Sequence, residues 1–217
     1  MSRQQRALPL FPLNIVLFPN AVLPIHVFEE RYKLMVQRCL DADSKLGVVL
    51  IKSGSEVGEP AEPHLTGTLG GIVRVDRLDD GRMLISVAGE ERFRILEITQ
   101  RQPFLEGQVE VLEEDVDVTV PPKDMEAIRE AVTQHIRLLL GLRGGWVREA
   151  TMPKAPVSLS YFVGSLVQSG LAEKQALLEE TSTVRRLQTE MRLLESEAGA
   201  LRERVVREIG QSRSRMQ

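Results

Sequence analysis

Three histidines, one cysteine and a scatter of carboxylates are the side chains of this chain best suited to chemistry, and their spacing limits what that chemistry could be. His26, His64 and His135 stand far apart, none lies in an H-E-x-x-H helix, and Cys39 has no second cysteine to work with. A zinc centre, which needs several such donors converging, is therefore not expected. The chain contains no G-x-x-x-x-G-K-[ST], no G-x-G-x-x-G after a strand and no G-x-S-x-G, so it offers no phosphate-cradling loop and no nucleophile elbow. Ser44-Lys45 and Lys52-Ser53 are merely neighbours, and only a serine and lysine brought together by folding could activate a hydroxyl. The doublets Glu29-Glu30, Asp79-Asp80, Glu90-Glu91 and Glu113-Glu114 point to opposite sides of a strand, or about 100° apart on a helix, and read as solvated faces rather than acid/base pairs. No catalytic residue, metal or cofactor is expected, and the chain reads as a non-enzyme.

Binding chemistry remains. Val184, Leu187, Met191, Leu194, Ala198, Leu201 and Val205 recur at steps of three and four, a heptad seam. Leu187, Met191, Leu194, Leu201 and Val205 are thus candidates for self-association or a partner, unless they pack on the protein's own helices, as the solubility cost of an exposed seam favours. Trp146 follows Gly144-Gly145 and is either a partner anchor or a cap on the core. His135 sits on an apolar helical stripe and reads as a core or interface histidine. Residues 202–215 hold five arginines against two glutamates, which fits a helix end complementing its own dipole, with nucleic acid or an acidic partner as the alternative.

The elements that carry these residues fall into two textures. The opening MSRQQR followed by an apolar run has the outline of an export signal, yet Pro9, Pro12, Pro19 and Pro24 interrupt any helix there at roughly 3 kcal/mol or more each. The run is expected to form strands, and the protein to span no membrane. Up to about residue 115 the pattern is strand-like, apart from a helix within 25–42 whose apolar face holds Phe28, Tyr32, Met35, Val36, Cys39 and Leu40. KLGVVLI at 45–51 predicts a strand buried on both faces. Asp80-Gly81 between two β-branched runs predicts a hairpin, and Gly89 inside the second run a bulge or bend. Beyond Pro121-Pro122 the period is helical, with helices predicted from Pro122 to near Gly141, over about 157–168 and 171–180, and over 183–209, the last with cap candidates at Thr181-Ser182-Thr183. The expected division is a β-rich part over 1–118 and a helical part over 119–217. A net charge of −3 makes nucleic acid an unlikely general partner class, and one cysteine fits a reducing, cytoplasmic setting.

The opening stretch also resembles a known family. L-P-L-F-P-L at Leu8–Leu13, V-L-F-P at Val16–Pro19, Leu23–Ile25 and the F-E-x-R-Y at Phe28–Tyr32 are similar to the start of the Lon N-terminal domain, the substrate-recognition part of the ATP-dependent Lon proteases. Gly67-Thr68, Asp80-Gly81, the G-x-x-R-F-R of Gly89–Arg94 and K-x-x-L-L-E at Lys174–Glu179 continue the likeness through most of the chain. Gly70-Gly71 departs from the pattern of many relatives and is expected to loosen its strand. The resemblance implies an α+β fold: a PUA-like β pseudo-barrel followed by a helical subdomain ending in a long helix. It further implies a free-standing domain, without ATPase or Ser-Lys protease motifs, that binds unfolded or exposed apolar polypeptide or one specific protein partner. The alternative from the same likeness is an RNA-binding PUA-like protein that uses its arginine-rich C-terminus.

Overall fold

The computed structural model describes residues 5–58, 61–114, 118–143, 145–148 and 150–214, with side chains as far as 207. These form β1 (Gln5–Leu13), β2 (Val22–Val27), α1 (Glu30–Asp41), β3 (Leu46–Ser53), β4 (Glu62–Arg77), β5 (Met83–Gln100), β6 (Leu105–Val111), α2 (Pro122–Gly141), α3 (Pro156–Leu166), α4 (Leu171–Glu179) and α5 (Thr183–Ser214). They gather into two compact units, Met1–Glu114 with Gly170–Glu179, and Asp115–Ser169 with Glu180–Gln217.

In the first unit a mixed sheet runs β2-β5-β4-β3-β1-β6, and β6 also pairs with β5. Five strands thus close on one another, while β2 is attached only to the first part of β5, from Val22 opposite Ala88 to Val27 opposite Met83. The pair β1–β3 is parallel and the others are antiparallel, so the strands are not simply paired with their sequence neighbours. β3 is buried along most of its length, as its apolar run predicts. One core lies under α1, where Tyr32, Met35, Val36 and Cys39 meet Phe11, Leu13, Ile25, Val27, Val48 and Ile85. Phe28, predicted to lie on the buried face of α1, instead precedes the helix and is 47% exposed, because the chain is still leaving β2 at that point.

Gly89 marks the bulge its position predicts. Thr68 faces Arg92 and Gly70 faces Gly89, so β5 spends one residue more than β4 over that step. The opened backbone holds the loop after β1: Asn20 N–H donates to the Gly89 carbonyl and Gly89 N–H to the Ala21 carbonyl, each at 2.8 Å. A Cβ at Gly89 would lie 2.4 Å from the Phe18 carbonyl oxygen. Gly89→Ala is accordingly expected to cost about 1–3 kcal/mol, the range for overpacking a fitted site, read as a lowered midpoint in denaturant. Gly70 does not loosen β4 in the way expected, since a Cβ there would come within 2.2 Å of a Val87 methyl; it lets two strands pack closely.

α4 belongs to this β unit although the helices flanking it in sequence do not. Two buried polar side chains account for that. The Gln175 amide donates to the Thr66 carbonyl at 3.0 Å, and Arg92, 1% exposed, donates through Nη1 to the Leu178 carbonyl at 2.8 Å. The guanidinium thereby satisfies a carbonyl that the end of a helix leaves without an intrahelical partner.

The second unit is built on α5, against which α2 and α3 pack. Ser182 begins it as an N-cap: its hydroxyl accepts the Arg185 N–H at 3.4 Å and its carbonyl the Arg186 N–H at 2.9 Å. Leu187, Leu194 and Leu201 are buried. Beside them lies a polar cluster in which Ser160 Oγ accepts from Arg186 Nε at 2.6 Å and donates to Glu190 Oε1 at 3.0 Å, while the Arg186 guanidinium sits 4.3 Å from the centre of the Tyr161 ring. His135 is buried as expected for a core histidine, its Nε2 lying 3.5 Å from Glu197, and desolvation pushes its pKa down. No helix among the described residues is long and apolar enough to cross a membrane.

Candidate polypeptide-binding groove

The carboxylate doublets diverge, as adjacency dictates. Glu29 pairs with Arg31 and Glu30 with Lys33; Glu90 pairs with Lys45 and Glu91 with Arg6. Lys45 is thus engaged by a carboxylate rather than by Ser44. Among the described residues no group of histidine, cysteine or carboxylate side chains could hold a metal ion.

The feature with binding character is an apolar groove of about 300 Å³ in the β unit. Its floor is Phe11 stacked on Tyr32, ring centres 4.3 Å apart, with Leu13 and Ile25 beside them. Its rim is Ile15, Phe28 and Val57, which are 39%, 47% and 53% exposed. Apolar side chains left open to water around a concavity are what a binding groove requires. Local chemistry explains why they stay exposed. Ile15 and Val57 sit in turn-like segments, Asn14-Ile15 and Ser55–Gly58, that are tied together by Glu56, whose Oε2 accepts from the Asn14 backbone N–H at 3.2 Å and from its side-chain amide at 2.9 Å. Glu29 is anchored by Arg31 at 3.1 Å and accepts the Gly58 N–H at 3.3 Å. Burial pushes the Tyr32 phenol up to about 12, so its hydroxyl keeps its proton at neutral pH and can donate.

The residues predicted from sequence lie elsewhere. Leu187, Leu194 and Leu201 are buried and Met191 and Val205 half-buried; Leu187 and Met191 line a second groove of about 710 Å³ between α2 and α5, with Ile128 and Val184. Val205 lies against Gly141 at the end of α2. Trp146 is 78% exposed, so it does not cap a core. Of the terminal arginines, Arg202, Arg204 and Arg207 are exposed, whereas the side chains of Arg213 and Arg215 lie outside those described.

A family model for the ATP-dependent protease La (LON) substrate-binding domain matches residues 7–196. The chain belongs to the Lon substrate-binding domain family. This Lon domain is 29% identical over 197 residues to a Lon protease of Cytophaga hutchinsonii, the match covering 88% of this chain and 24% of the relative. It is 30% identical to one of Parabacteroides distasonis over 177 residues, 79% of this chain and 21% of the relative. The chain therefore spans about a quarter of the length of these relatives. Its fold matches the crystal structure of a Lon N-terminal domain protein from Xanthomonas campestris with a TM-score of 0.67 and 28% identity, covering 84% of this chain and 95% of the other. The N-terminal domain of a Mycobacterium avium complex Lon protease shares the fold, with a TM-score of 0.61 and 18% identity over 88% of this chain and 98% of the other. The α+β fold expected from the resemblance is thus observed, ending in a long helix. Sequence reasoning missed the groove of this Lon domain because three separated segments build it; the available signal was Val57, a lone apolar residue between Glu56 and Gly58.

Proposed function

We propose that this Lon domain is a non-catalytic module that holds exposed apolar segments of other polypeptides, or of one dedicated protein partner, in the groove bounded by Ile15, Phe28 and Val57. The observation that carries the reading is that rim, three large apolar side chains left in water around a concave apolar floor. The family description, a substrate-binding domain, supports it. In this reading the module recognises polypeptide and does not cut it. We place it in the cytoplasm on its single cysteine.

The test is a titration of a fluorescent, permanently unfolded polypeptide with the purified protein, without ATP, following anisotropy and fragment size at two salt concentrations. Saturable binding that changes little with salt, with the polypeptide intact, is expected. Binding that falls steeply with salt would show that charge rather than the apolar rim holds the polypeptide, and that result, cleavage or no binding would overturn the reading.

A further inference from the structure

The groove lies where two strands lack a neighbour. β2 pairs with β5 on one side, and among the described residues nothing pairs with its other side. β1 is flanked by β6 only as far as Leu10, so Phe11–Leu13 pair with β3 alone. Both stretches line the groove, through Leu23–Val27 and through Phe11 and Leu13. An open strand edge offers alternating N–H and C=O groups at the spacing of an extended chain, which a helix, with its backbone bonds already made, cannot use. Pro24 has no N–H to offer, and an edge strand is where a proline is tolerated.

Charge adds a second requirement. Two carboxylates, Glu29 and Glu56, line the groove, and one guanidinium, Arg31, answers Glu29. Glu56 accepts only the Asn14 bonds and has no cationic partner among the described residues. That leaves one negative charge in surplus beside an apolar floor.

Resting on the polypeptide-binding reading above, we propose that the bound segment is added as a β-strand along the open edge of β2, placing an apolar side chain over Phe11 and Tyr32 and a lysine or arginine beside Glu56. Side chains of the added strand alternate between the groove and solvent, so only every second position is selected.

The test uses a labelled ten-residue peptide of alternating valine and threonine with one arginine near its end, and two copies N-methylated at alternate amides, one on each set. Against the intact protein, methylation of one set is expected to weaken binding tenfold or more and of the other less than twofold. Replacing the arginine by glutamate is expected to cost about fivefold with the natural protein and nothing with Glu56→Gln. Equal effects from the two methylated sets would overturn strand addition, as would failure of the parent peptide where the unfolded polypeptide binds. An arginine-to-glutamate exchange without cost would overturn the charge requirement. If neither ligand binds, the polypeptide-binding reading falls and strand addition with it.

Discussion

Replacing Arg92 by alanine is expected to lower the stability of the protein by about 3–5 kcal/mol, the loss seen when one partner of a buried charged pair is removed. Arg92 is 1% exposed, donates through Nε to Glu114 at 2.5 Å and through Nη1 to the Leu178 carbonyl at 2.8 Å. The alanine variant takes the guanidinium from both acceptors and leaves a cavity in place of one of the largest fully buried side chains among the described residues. Because Glu114 keeps 19% of its side chain in water, the effect belongs toward the lower end of the range. Denaturant unfolding measures it, and amide exchange in Leu171–Glu179 should rise most, since Arg92 holds the end of that helix to the β unit. A loss under about 1 kcal/mol, the size of an ordinary surface change, would contradict the assignment. Arg92→Lys keeps the charge but not the forked geometry, and is expected to fall between.

The second large effect is a pH dependence placed at Glu190. This carboxyl is 1% exposed, bonded to Ser160, and burial pushes its pKa up to about 8 against the opposing pull of Arg186. The folded chain therefore keeps a proton that the unfolded chain releases near the ordinary glutamate value of about 4.3. Stability from this group is complete below that value and is lost as pH rises towards about 8. Each pH unit between the two values is worth about 1.4 kcal/mol, so the fall should be on the order of several kcal/mol. Glu190→Gln removes it and should be more stable than the natural protein at pH 8. His135, whose pKa burial lowers, acts in the opposite sense, losing stability as pH falls; it is present in both proteins, so their difference isolates Glu190. Parallel stability curves from pH 5 to about 8.5 would show that Glu190 is ionised throughout.

Much of the fold could be read from periodicity and caps. α2 spans Pro122–Gly141 as predicted from its proline start and glycine end, α5 starts behind the Ser182 cap, and its heptad leucines turn inward. Gly89 predicts a bulge that β5 contains. What escaped the reading depends on distant residues. The parallel β1–β3 pair has no local signature, and the nine residues of α4 carry no clear amphipathic stripe that would assign them to the β unit. Arg92, Arg186 and Glu190 are buried ionisable side chains, which residue type alone assigns to the surface. The groove needs residues 11–15, 23–32 and 56–57 at once, and a single sequence does not reveal that they converge.

If polypeptide binds at the rim of Ile15, Phe28 and Val57, a charge placed on that rim weakens the complex. The most direct measurement is the affinity for one unfolded polypeptide of the natural protein, Val57→Asp and Trp146→Ser, each confirmed as folded by its denaturant midpoint. Val57 is exposed and in a turn, so the aspartate should leave stability within about 0.5 kcal/mol. At least a tenfold weaker complex is expected for Val57→Asp, which puts a charge on the apolar rim, and an unchanged one for Trp146→Ser. Full affinity in Val57→Asp with a loss in Trp146→Ser would place the binding surface in the second unit and rule out the rim.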